Sequence, residues 1–223
     1  MNKSTYMKGE NPLLFYRIRE PKIKKEKTPL LILMHGVGSN ESHMQMVGEH
    51  ILDEFLVVSA RAPYANSESS FRWFAVDFIN GVPKINAEEA EKSRIIINQF
   101  INQLKELHEF DPQSIYLGGF SQGAIMSYSV GLTHPEKIKG IIGMSGRILK
   151  EIRALVKTSE KLKQEKVLLI HGTKDQVLPI HFAREAKEYL EELEVKLDYH
   201  ETDYDHTVNS QTISIINDWL RQQ

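Results

Sequence analysis

The sequence predicts an α/β protein in which a mostly parallel central sheet carries helices on both faces. Short apolar runs closed by glycine or polar turn residues indicate buried strands, and longer segments with helical periodicity lie between them. Strands that alternate with helices in this way are typical of a parallel sheet. The 223 residues, 41% of them hydrophobic, suffice for one substantial core, so we expect a single domain over residues 1–223.

The predicted strands are apolar runs bounded by turn residues. We expect them at residues 30–34, 55–60, 114–119, 138–145, 166–171 and 196–202. Residues 15–19 are predicted as a first strand that joins the sheet in the antiparallel direction. These runs are far shorter than the roughly 20 residues that a transmembrane helix needs, so no membrane span is predicted.

The clearest helix is predicted over residues 87–108. Apolar positions such as Ile97, Ile101 and Leu104 recur every three or four residues, while charged residues occupy the other faces. Pro112 follows shortly afterwards and is a plausible stop. Further helices are predicted at residues 122–132, 180–193 and 209–221.

Local signals support these further helices. Pro179 precedes the helix at 180–193, and proline is favoured at helix starts. The last helix has Ile216 and Trp219 spaced to pack inward. Residues 61–86 resist assignment, because prolines and a polar run alternate there with aromatic residues. A loop of this length in a compact domain is usually functional or mobile.

Charge and cysteine content exclude several classes of function. The 28 basic and 30 acidic side chains leave a net charge of -2, so no field over the whole protein attracts nucleic acid. The absence of cysteine excludes disulfides, cysteine-based zinc sites and a thiolate nucleophile, and it agrees with a reducing compartment. Residues 1–27 lack the uninterrupted apolar segment of a secretory signal. We therefore expect a cytoplasmic protein that does not bind nucleic acid.

A candidate nucleophile lies between a predicted strand and a predicted helix. Residues 119–123 read Gly-Phe-Ser-Gln-Gly, which has the form Gly-x-Ser-x-Gly. At such a strand-to-helix turn the serine sits on a sharp elbow, and the flanking glycines leave room where side chains would collide with neighbouring elements. The position of the motif therefore predicts Ser121 as a catalytic nucleophile.

A serine nucleophile needs a histidine base and a carboxylate that orients the base. Asp175 follows the predicted strand at 166–171, and His206 lies between the last predicted strand and the last helix. The carboxyl ends of parallel strands meet at one edge of a sheet, the edge at which Ser121 is also expected. We predict Asp175 as the acid and His206 as the base.

Several residues compete for these roles. Asp203 and Asp205 flank the predicted base and are alternatives for the acid, although they follow one strand too late. His171 ends a strand and is interpreted as a packed histidine with a backbone partner. Ser145 also follows a predicted strand, but Arg147 occupies the position of the second glycine, so a structural turn is predicted.

The oxyanion formed by serine attack needs hydrogen-bond donors, normally one after the nucleophile and one after an early strand. The backbone N–H of Gln122 supplies the first. Residues 36–38, Gly-Val-Gly, follow the first buried strand and can turn toward Ser121, so we predict Val37 as the second donor, with Gly36 as the alternative.

Cofactor and metal sites have weaker support. The loop at residues 36–38 matches half of a dinucleotide fingerprint, but the third glycine is missing. A metal site could be imagined from residue types alone, but its members show no recognised ligand spacing, and no metal is predicted. The candidates are His35, His171, Asp175, Asp205 and His206.

Taken in order, four segments resemble the phospholipase/carboxylesterase family, whose members include bacterial carboxylesterases and acyl-protein thioesterases. They are Leu-Met-His-Gly-Val-Gly at 33–38, Gly-Gly-Phe-Ser-Gln-Gly-Ala at 118–124, His-Gly-Thr-Lys-Asp-Gln-Val-Leu-Pro at 171–179, and His206. The likeness runs from about residue 30 to the C-terminus. The resemblance implies an α/β-hydrolase fold without a large cap domain, the same triad and oxyanion donors, and no cofactor.

The resemblance also implies the reaction, the hydrolysis of acyl esters or thioesters by a small enzyme, and we expect a small-molecule acyl ester as the substrate. We expect a serine carboxylesterase for short- to medium-chain acyl esters, acting as a monomer or a homodimer. The alternative is an acyl-protein thioesterase or lysophospholipase that acts on long acyl chains. A non-catalytic hydrolase-fold binding protein is a third interpretation, which the complete triad argues against.

The substrate pocket is predicted less directly. Residues that could form its walls, or equally part of the core, are Trp73, Phe74, Val177 and Leu178. The sequence departs from the family pattern at Ala75, where an aspartate often follows Trp-Phe, and at Asp205, where glycine usually precedes the histidine. Both departures bear on substrate preference, and neither removes a member of the triad.

Overall fold

The structure, a computed structural model, describes residues 12–79 and 82–223. In chain order its strands are β1 (Tyr16–Arg19), β2 (Leu30–Met34), β3 (Leu56–Ala60), β4 (Tyr64–Ser67), β5 (Ser70–Arg72), β6 (Val76–Ile79), β7 (Val82–Ile85), β8 (Ile115–Phe120), β9 (Gly140–Met144), β10 (Lys166–Gly172) and β11 (Lys196–Thr202). The helices are α1 (Glu41–Gly48), α2 (Ala87–Leu107), α3 (Gln122–Gly131), α4 (Lys150–Arg153), α5 (Glu160–Lys163), α6 (His181–Glu192) and α7 (Ser210–Arg221).

A seven-stranded sheet forms the centre, in the order β1-β3-β2-β8-β9-β10-β11. All of its strand pairs are parallel except β1 with β3, so the predicted antiparallel direction of the first strand is confirmed. The strands at 30–34 and 196–202 have the predicted bounds, and the other predicted strands differ by one or two residues at an end. The predicted fold class, an α/β-hydrolase, is confirmed.

Helices cover both faces of the sheet, because each buried strand supplies apolar side chains to both sides. In β2, Leu30 and Ile32 belong to one core cluster, while Leu31 and Leu33 belong to the other. The first cluster includes buried residues of α2, α3 and α6, and the second includes buried residues of α1 and α7. Sequence analysis predicted α2, α3, α6 and α7 but missed α1, α4 and α5.

The segment at 61–86 folds mainly into two hairpins. Strand β4 pairs with β5, and β6 pairs with β7, both antiparallel. An isolated bridge between Ser39 and Phe71 ties the first hairpin to the loop after β2. The tip of the second hairpin, Asn80 and Gly81, lies outside the described residues.

Residues 1–11 also lie outside the described residues, and with them the first part of the segment on which the prediction of no secretory signal rests. In the part of the chain that the structure describes, none of the helices combines the length and apolar character that crossing a bilayer requires.

Candidate active site

Ser121 connects the end of β8 to the start of α3. Its φ of 54° and ψ of -117° lie outside the regions that L-residues favour, a conformation that costs about 1–3 kcal/mol. A Cβ on Gly123 would lie 2.0 Å from the carbonyl oxygen of Met34, and a Cβ on Gly119 would lie 2.2 Å from the carbonyl carbon of Gly123. Only glycine fits at these two positions, so the Gly-x-Ser-x-Gly spacing makes this sharp turn possible.

Asp175 and His206 meet at the carboxyl ends of the neighbouring strands β10 and β11. The Nδ1 atom of His206 lies 2.6 Å from Oδ2 of Asp175. Since an ionised carboxylate only accepts hydrogen bonds, Nδ1 carries the proton, and Nε2 of a neutral ring keeps its lone pair. The pair therefore has the arrangement of a base held in one tautomer by an acid.

The carboxylate of Asp175 is buried and fully engaged. Its other oxygen, Oδ1, accepts the backbone N–H groups of Val177 at 2.9 Å and Leu178 at 2.8 Å. Burial by itself raises the pKa of Asp175, but hydrogen bonds from His171, His206 and Leu178 outweigh it and hold the pKa well below its usual range. Asp175 is thus ionised throughout the physiological pH range.

His171 is a second donor to this carboxylate. Its side chain is buried, and Nε2 lies 2.7 Å from the carbonyl oxygen of Leu178 and 3.3 Å from Oδ2 of Asp175. Both partners are acceptors, so Nε2 carries the proton. Sequence analysis predicted a packed histidine with a backbone partner, and the contact with Leu178 confirms this. It missed the contact with Asp175, for which the sequence contained no signal.

The serine and the histidine lie at the same edge of the sheet. Phe120, which immediately precedes Ser121, has its ring centroid 4.7 Å from that of the His206 imidazole. Within the described residues, Ser121 Oγ makes no hydrogen bond to His206. Catalytic hydrogen bonds often tighten only when substrate binds, so this geometry is compatible with proton transfer from the serine to the histidine.

The competing acids lie elsewhere. Asp203 is exposed and forms an ion pair with Lys174 at 2.8 Å, and Asp205 is exposed beside the histidine. Ser145, which also follows a strand, has a positive φ of 49°. It is buried, and its backbone N–H donates to the carbonyl oxygen of Ile170 at 2.9 Å. The structure therefore brings Asp175, and neither Asp203 nor Asp205, into hydrogen-bonding contact with the imidazole.

The loop after β2 lies against the nucleophile turn. A Cβ on Gly36 would lie 3.2 Å from the Cβ of Ser121. The next residues are anchored, because Gly38 N–H bonds to the carbonyl oxygen of Phe71 at 2.9 Å. Among the described residues, the backbone N–H groups of Val37 and Gln122 have no protein acceptor. Both predicted oxyanion donors are thus free to bind a substrate oxygen.

His35 supports this loop from the core. Its Nδ1 lies 2.7 Å from the carbonyl oxygen of Gly36, and its Nε2 accepts the N–H of Ala62 at 3.0 Å. Burial lowers the pKa of His35 to about 4, so the ring is neutral at physiological pH. Both ring nitrogens are engaged with the backbone, an arrangement that leaves no lone pair for the metal ligation considered above.

The side chain of Gln122 has a role that sequence analysis missed. Its Oε1 accepts the N–H of Trp73 at 2.9 Å, and its Nε2 donates to the carbonyl oxygen of Phe74 at 2.7 Å. The residue whose N–H is a candidate oxyanion donor therefore also fixes the chain that links the two hairpins. A buried amide with both ends satisfied restricts the position of the first turn of α3.

The burial of this linking chain favours the core interpretation of Trp73 and Phe74 over the alternative that they line the pocket. Their exposed fractions are 0% and 1%, and both belong to the core cluster on the α2 face. They have no surface with which to line a substrate pocket in this structure. Leu178 is buried as well, while Val177 is 50% exposed. Of the four predicted wall residues, only Val177 presents its side chain to solvent.

Comparisons with known proteins identify a family that matches most of this chain. A sequence model of the phospholipase/carboxylesterase family matches residues 17–223. The acyl-protein thioesterase 1 of Kluyveromyces lactis is 28% identical over 189 residues, which cover 79% of this chain and 80% of that protein.

Solved structures share the fold. The crystal structure of esterase PE8 has a TM-score of 0.81 at 25% identity and covers 94% of this chain and 98% of its own. A carboxylesterase from Mesorhizobium loti has a TM-score of 0.81 at 20% identity, covering 96% and 97%. The strand order, the position of the Gly-x-Ser-x-Gly turn and the family match over most of the chain lead to one conclusion. This chain belongs to the phospholipase/carboxylesterase family, whose members are ester hydrolases with the α/β-hydrolase fold.

Proposed function

We propose that this chain is a serine carboxylesterase that hydrolyses short- to medium-chain acyl esters through an acyl-enzyme on Ser121. The observation that carries the proposal is the 2.6 Å contact between His206 and the ionised Asp175, at the sheet edge where Ser121 occupies its strained turn. Together these groups have the residue types and the arrangement of a Ser-His-Asp triad.

The proposed reaction has two steps. His206 Nε2 removes the proton from Ser121 Oγ as this oxygen attacks the acyl carbon, and the free N–H groups of Val37 and Gln122 stabilise the oxyanion. The imidazolium, which Asp175 stabilises, returns the proton to the departing alcohol. Water then attacks the acyl-enzyme with His206 again as the base, and the acid is released.

The preference for shorter chains is supported by what surrounds the turn. Trp73, Phe74 and Leu178 pack into the core instead of lining a groove, so Val177 is the one predicted wall residue with apolar surface to offer. A long acyl chain gains its binding energy from buried apolar area, at about 25 cal/mol per Å². Along these four residues a long acyl chain therefore gains little more binding energy than a short one.

The second candidate is an acyl-protein thioesterase or a lysophospholipase. It is favoured by the relatives, several of which are named acyl-protein thioesterase 1. Such an enzyme is expected to hydrolyse long acyl chains faster than short ones. The two candidates share the triad, so they are separated by acyl-chain preference and not by the loss of activity on mutation.

The test is a series of aryl esters from acetyl to palmitoyl, with initial rates measured for the parent and for Ser121→Ala. Loss of the nucleophile is expected to lower kcat by a factor on the order of 10⁶. Ser145→Ala is the matched control, because Ser145 also follows a strand and also has a positive φ, but no helix begins directly after it. We expect it to keep activity within about threefold, because the Ser145 hydroxyl makes no hydrogen bond to another described residue.

The outcomes are distinct. An active parent with an optimum at short chains and an inactive Ser121→Ala variant supports the carboxylesterase. An optimum at long chains moves the assignment to the second candidate. Activity that survives Ser121→Ala, or that is lost equally in Ser145→Ala, refutes the assignment of the nucleophile.

Other expectations stand as proposals of the same kind. They are a single domain over residues 1–223, a cytoplasmic location, and a monomer or homodimer. The absence of cysteine suits a reducing compartment. Cell fractionation tests the location, limited proteolysis tests the domain organisation, and light scattering after gel filtration tests the oligomeric state.

A further inference from the structure

A cleft of about 550 Å³ is lined by three parts of the chain and is not explained by the triad. They are β7, the segment from Arg147 into α4, and the first half of α6. Its apolar walls are Pro83, Ile85, Ile148 and Phe182, and Arg147 lies among them. An arginine inside a partly apolar cleft is the feature that requires an explanation.

The cleft is close to the reacting serine. Strands β8 and β9 are parallel neighbours in which Phe120 is paired with Met144, so Ser121 and Ser145 leave the sheet side by side. Neighbouring strands are about 4.8 Å apart. A Cβ on Gly146 would lie 3.4 Å from the carbonyl oxygen of Ser121. Arg147 thus follows a residue that touches the nucleophile turn.

The opposite wall of the cleft continues from the acid. Asp175 is followed by the short turn that holds its carboxylate, and this turn leads into α6, on which Phe182 lies in the first turn. The guanidinium carbon of Arg147 lies 5.6 Å from the centroid of the Phe182 ring. The cleft therefore lies between the segment that follows Gly146 and the first half of α6.

Arg147 is half-buried and lacks a polar partner. Among the described residues it makes no hydrogen bond, and no carboxylate lies within 4 Å of its guanidinium. Burial lowers the pKa of Arg147, while Glu151 and Glu185 raise it from a longer distance. A partly desolvated cation without a partner is unfavourable, so a bound anion would be stabilised there.

The charge of the cleft has the opposite sign to that of the whole chain. Its lining contains four cationic side chains and two carboxylates, whereas the chain has a net charge of -2. The cations are Lys84, Arg147, Lys150 and Arg153, and the carboxylates are Glu151 and Glu185. Arg153 lies over the ring of Tyr189 at 4.3 Å, and Lys150 is exposed. Arg147 is accordingly the best-placed cation for a ligand between the apolar walls.

We propose that this cleft is a specificity site that binds a carboxylate carried by the ester substrate, and that the guanidinium of Arg147 forms the hydrogen bonds to this carboxylate. The proposal rests on the proposed esterase function. The planar guanidinium can donate two parallel N–H bonds to one carboxylate, and the apolar walls can hold the methylene groups between that carboxylate and the ester. The preferred substrates are then monoesters that retain a free acid.

The test compares aryl esters that differ only in charge. The aryl monoester of glutaric acid places a carboxylate on the acyl side, and the aryl ester of pentanoic acid is its neutral counterpart. The carboxyphenyl and phenyl esters of butanoic acid place the charge on the leaving group instead. Values of kcat/KM are measured for the parent, for Arg147→Gln and for Arg184→Gln, a control at an exposed arginine that pairs with Glu201.

We expect the parent to prefer one charged ester over its neutral counterpart by about tenfold to a hundredfold, the range of a charge-assisted hydrogen bond. Arg147→Gln should abolish this preference and leave the neutral ester within about twofold of the parent, since only the bond to the carboxylate is lost. Arg184→Gln should change neither rate. The ester pair that shows the preference identifies the side of the substrate that enters the cleft.

Two results overturn the proposal: equal rates for charged and neutral esters in the parent, or an equal loss on both in Arg147→Gln. If Arg147→Gln does not fold, Arg147→Lys and inhibition of the parent by free glutarate decide the question, with no inhibition counting against it. Failure of the proposed function has a different signature. In that case the parent does not hydrolyse neutral esters, or the Ser121→Ala variant still hydrolyses them.

Discussion

Glu165 allows a quantitative prediction about stability. It precedes β10 with an exposed fraction of 2%, and its buried Oε1 has no hydrogen-bond partner among the described residues. Burial raises the pKa of Glu165 to about 9; Lys161 opposes this shift and Glu136 adds to it. The folded protein therefore keeps this carboxyl protonated at pH values where the unfolded chain ionises it.

The sign of the effect follows from proton binding. Between about pH 4.5 and pH 9 the folded state holds one more proton at Glu165 than the unfolded state, so stability falls as pH rises. The slope is about 1.4 kcal/mol per pH unit. At about pH 7.5 the accumulated destabilisation is about 4 kcal/mol, and it vanishes below about pH 4.5.

The perturbation is Glu165→Gln, which is neutral in both states and nearly the same size. We expect its free energy of unfolding at about pH 7.5 to exceed that of the parent by up to about 4 kcal/mol, and by only about 1 kcal/mol at about pH 5.5. Urea unfolding at both pH values measures the difference, in which the contributions of other titrating groups cancel.

Glu192→Gln on α6 is the control, because Glu192 is exposed. Its stability difference from the parent should be small at both pH values, within about 0.5 kcal/mol. A Glu165→Gln variant whose stability differs from that of the parent by the same amount at both pH values would refute the reasoning, since the difference must grow with pH if the buried carboxyl is protonated.

Two further predictions concern the proposed active site. Asp175→Asn should lower kcat by a factor on the order of 10⁴, because a carboxamide no longer fixes the tautomer of His206; a loss under tenfold, with an unchanged circular dichroism spectrum, contradicts this. Gly123→Ala should prevent correct folding, because the new Cβ would lie 2.0 Å from the carbonyl oxygen of Met34. In the control, Gly38→Ala, the new Cβ meets no close contact, and only the positive φ should lower the free energy of unfolding, by about 1–2 kcal/mol. Equal thermal stability of the two variants would rule out this argument.

The main sheet could be predicted because its strands are buried on both faces. The apolar run of β2 feeds both core clusters, so it has no competing interpretation as an amphipathic helix. Helix α1 was missed because it is short and its burial depends on a distant part of the chain. It spans eight residues, and its buried Glu41 is held by Arg61 through bonds of 2.7 and 2.8 Å, a contact between distant positions. Each hairpin at 61–86 pairs its own two strands, with one bridge from Phe71 to Ser39, and the short strands show no clear alternation.

The sequence by itself determined where the chain must turn and which residues could react. The glycine at 119 is required by a backbone contact within the turn, and the glycine at 123 by the carbonyl group of Met34 on β2. Both belong to the Gly-x-Ser-x-Gly pattern, so the position of Ser121 could be predicted from local spacing. The order of strands likewise placed Asp175 and His206 at the correct edge.

The tertiary structure decided which of these residues touch. It paired His206 with Asp175 instead of Asp203, gave Asp175 a second donor in His171 and buried Trp73 in the core. It also placed Arg147 in a cleft where no carboxylate of the described residues forms an ion pair with it. Each of these outcomes depends on the register of neighbouring strands and on how helices and loops pack over their ends. Sequence spacing specifies local conformation, but contacts between distant segments are fixed only when those segments pack together.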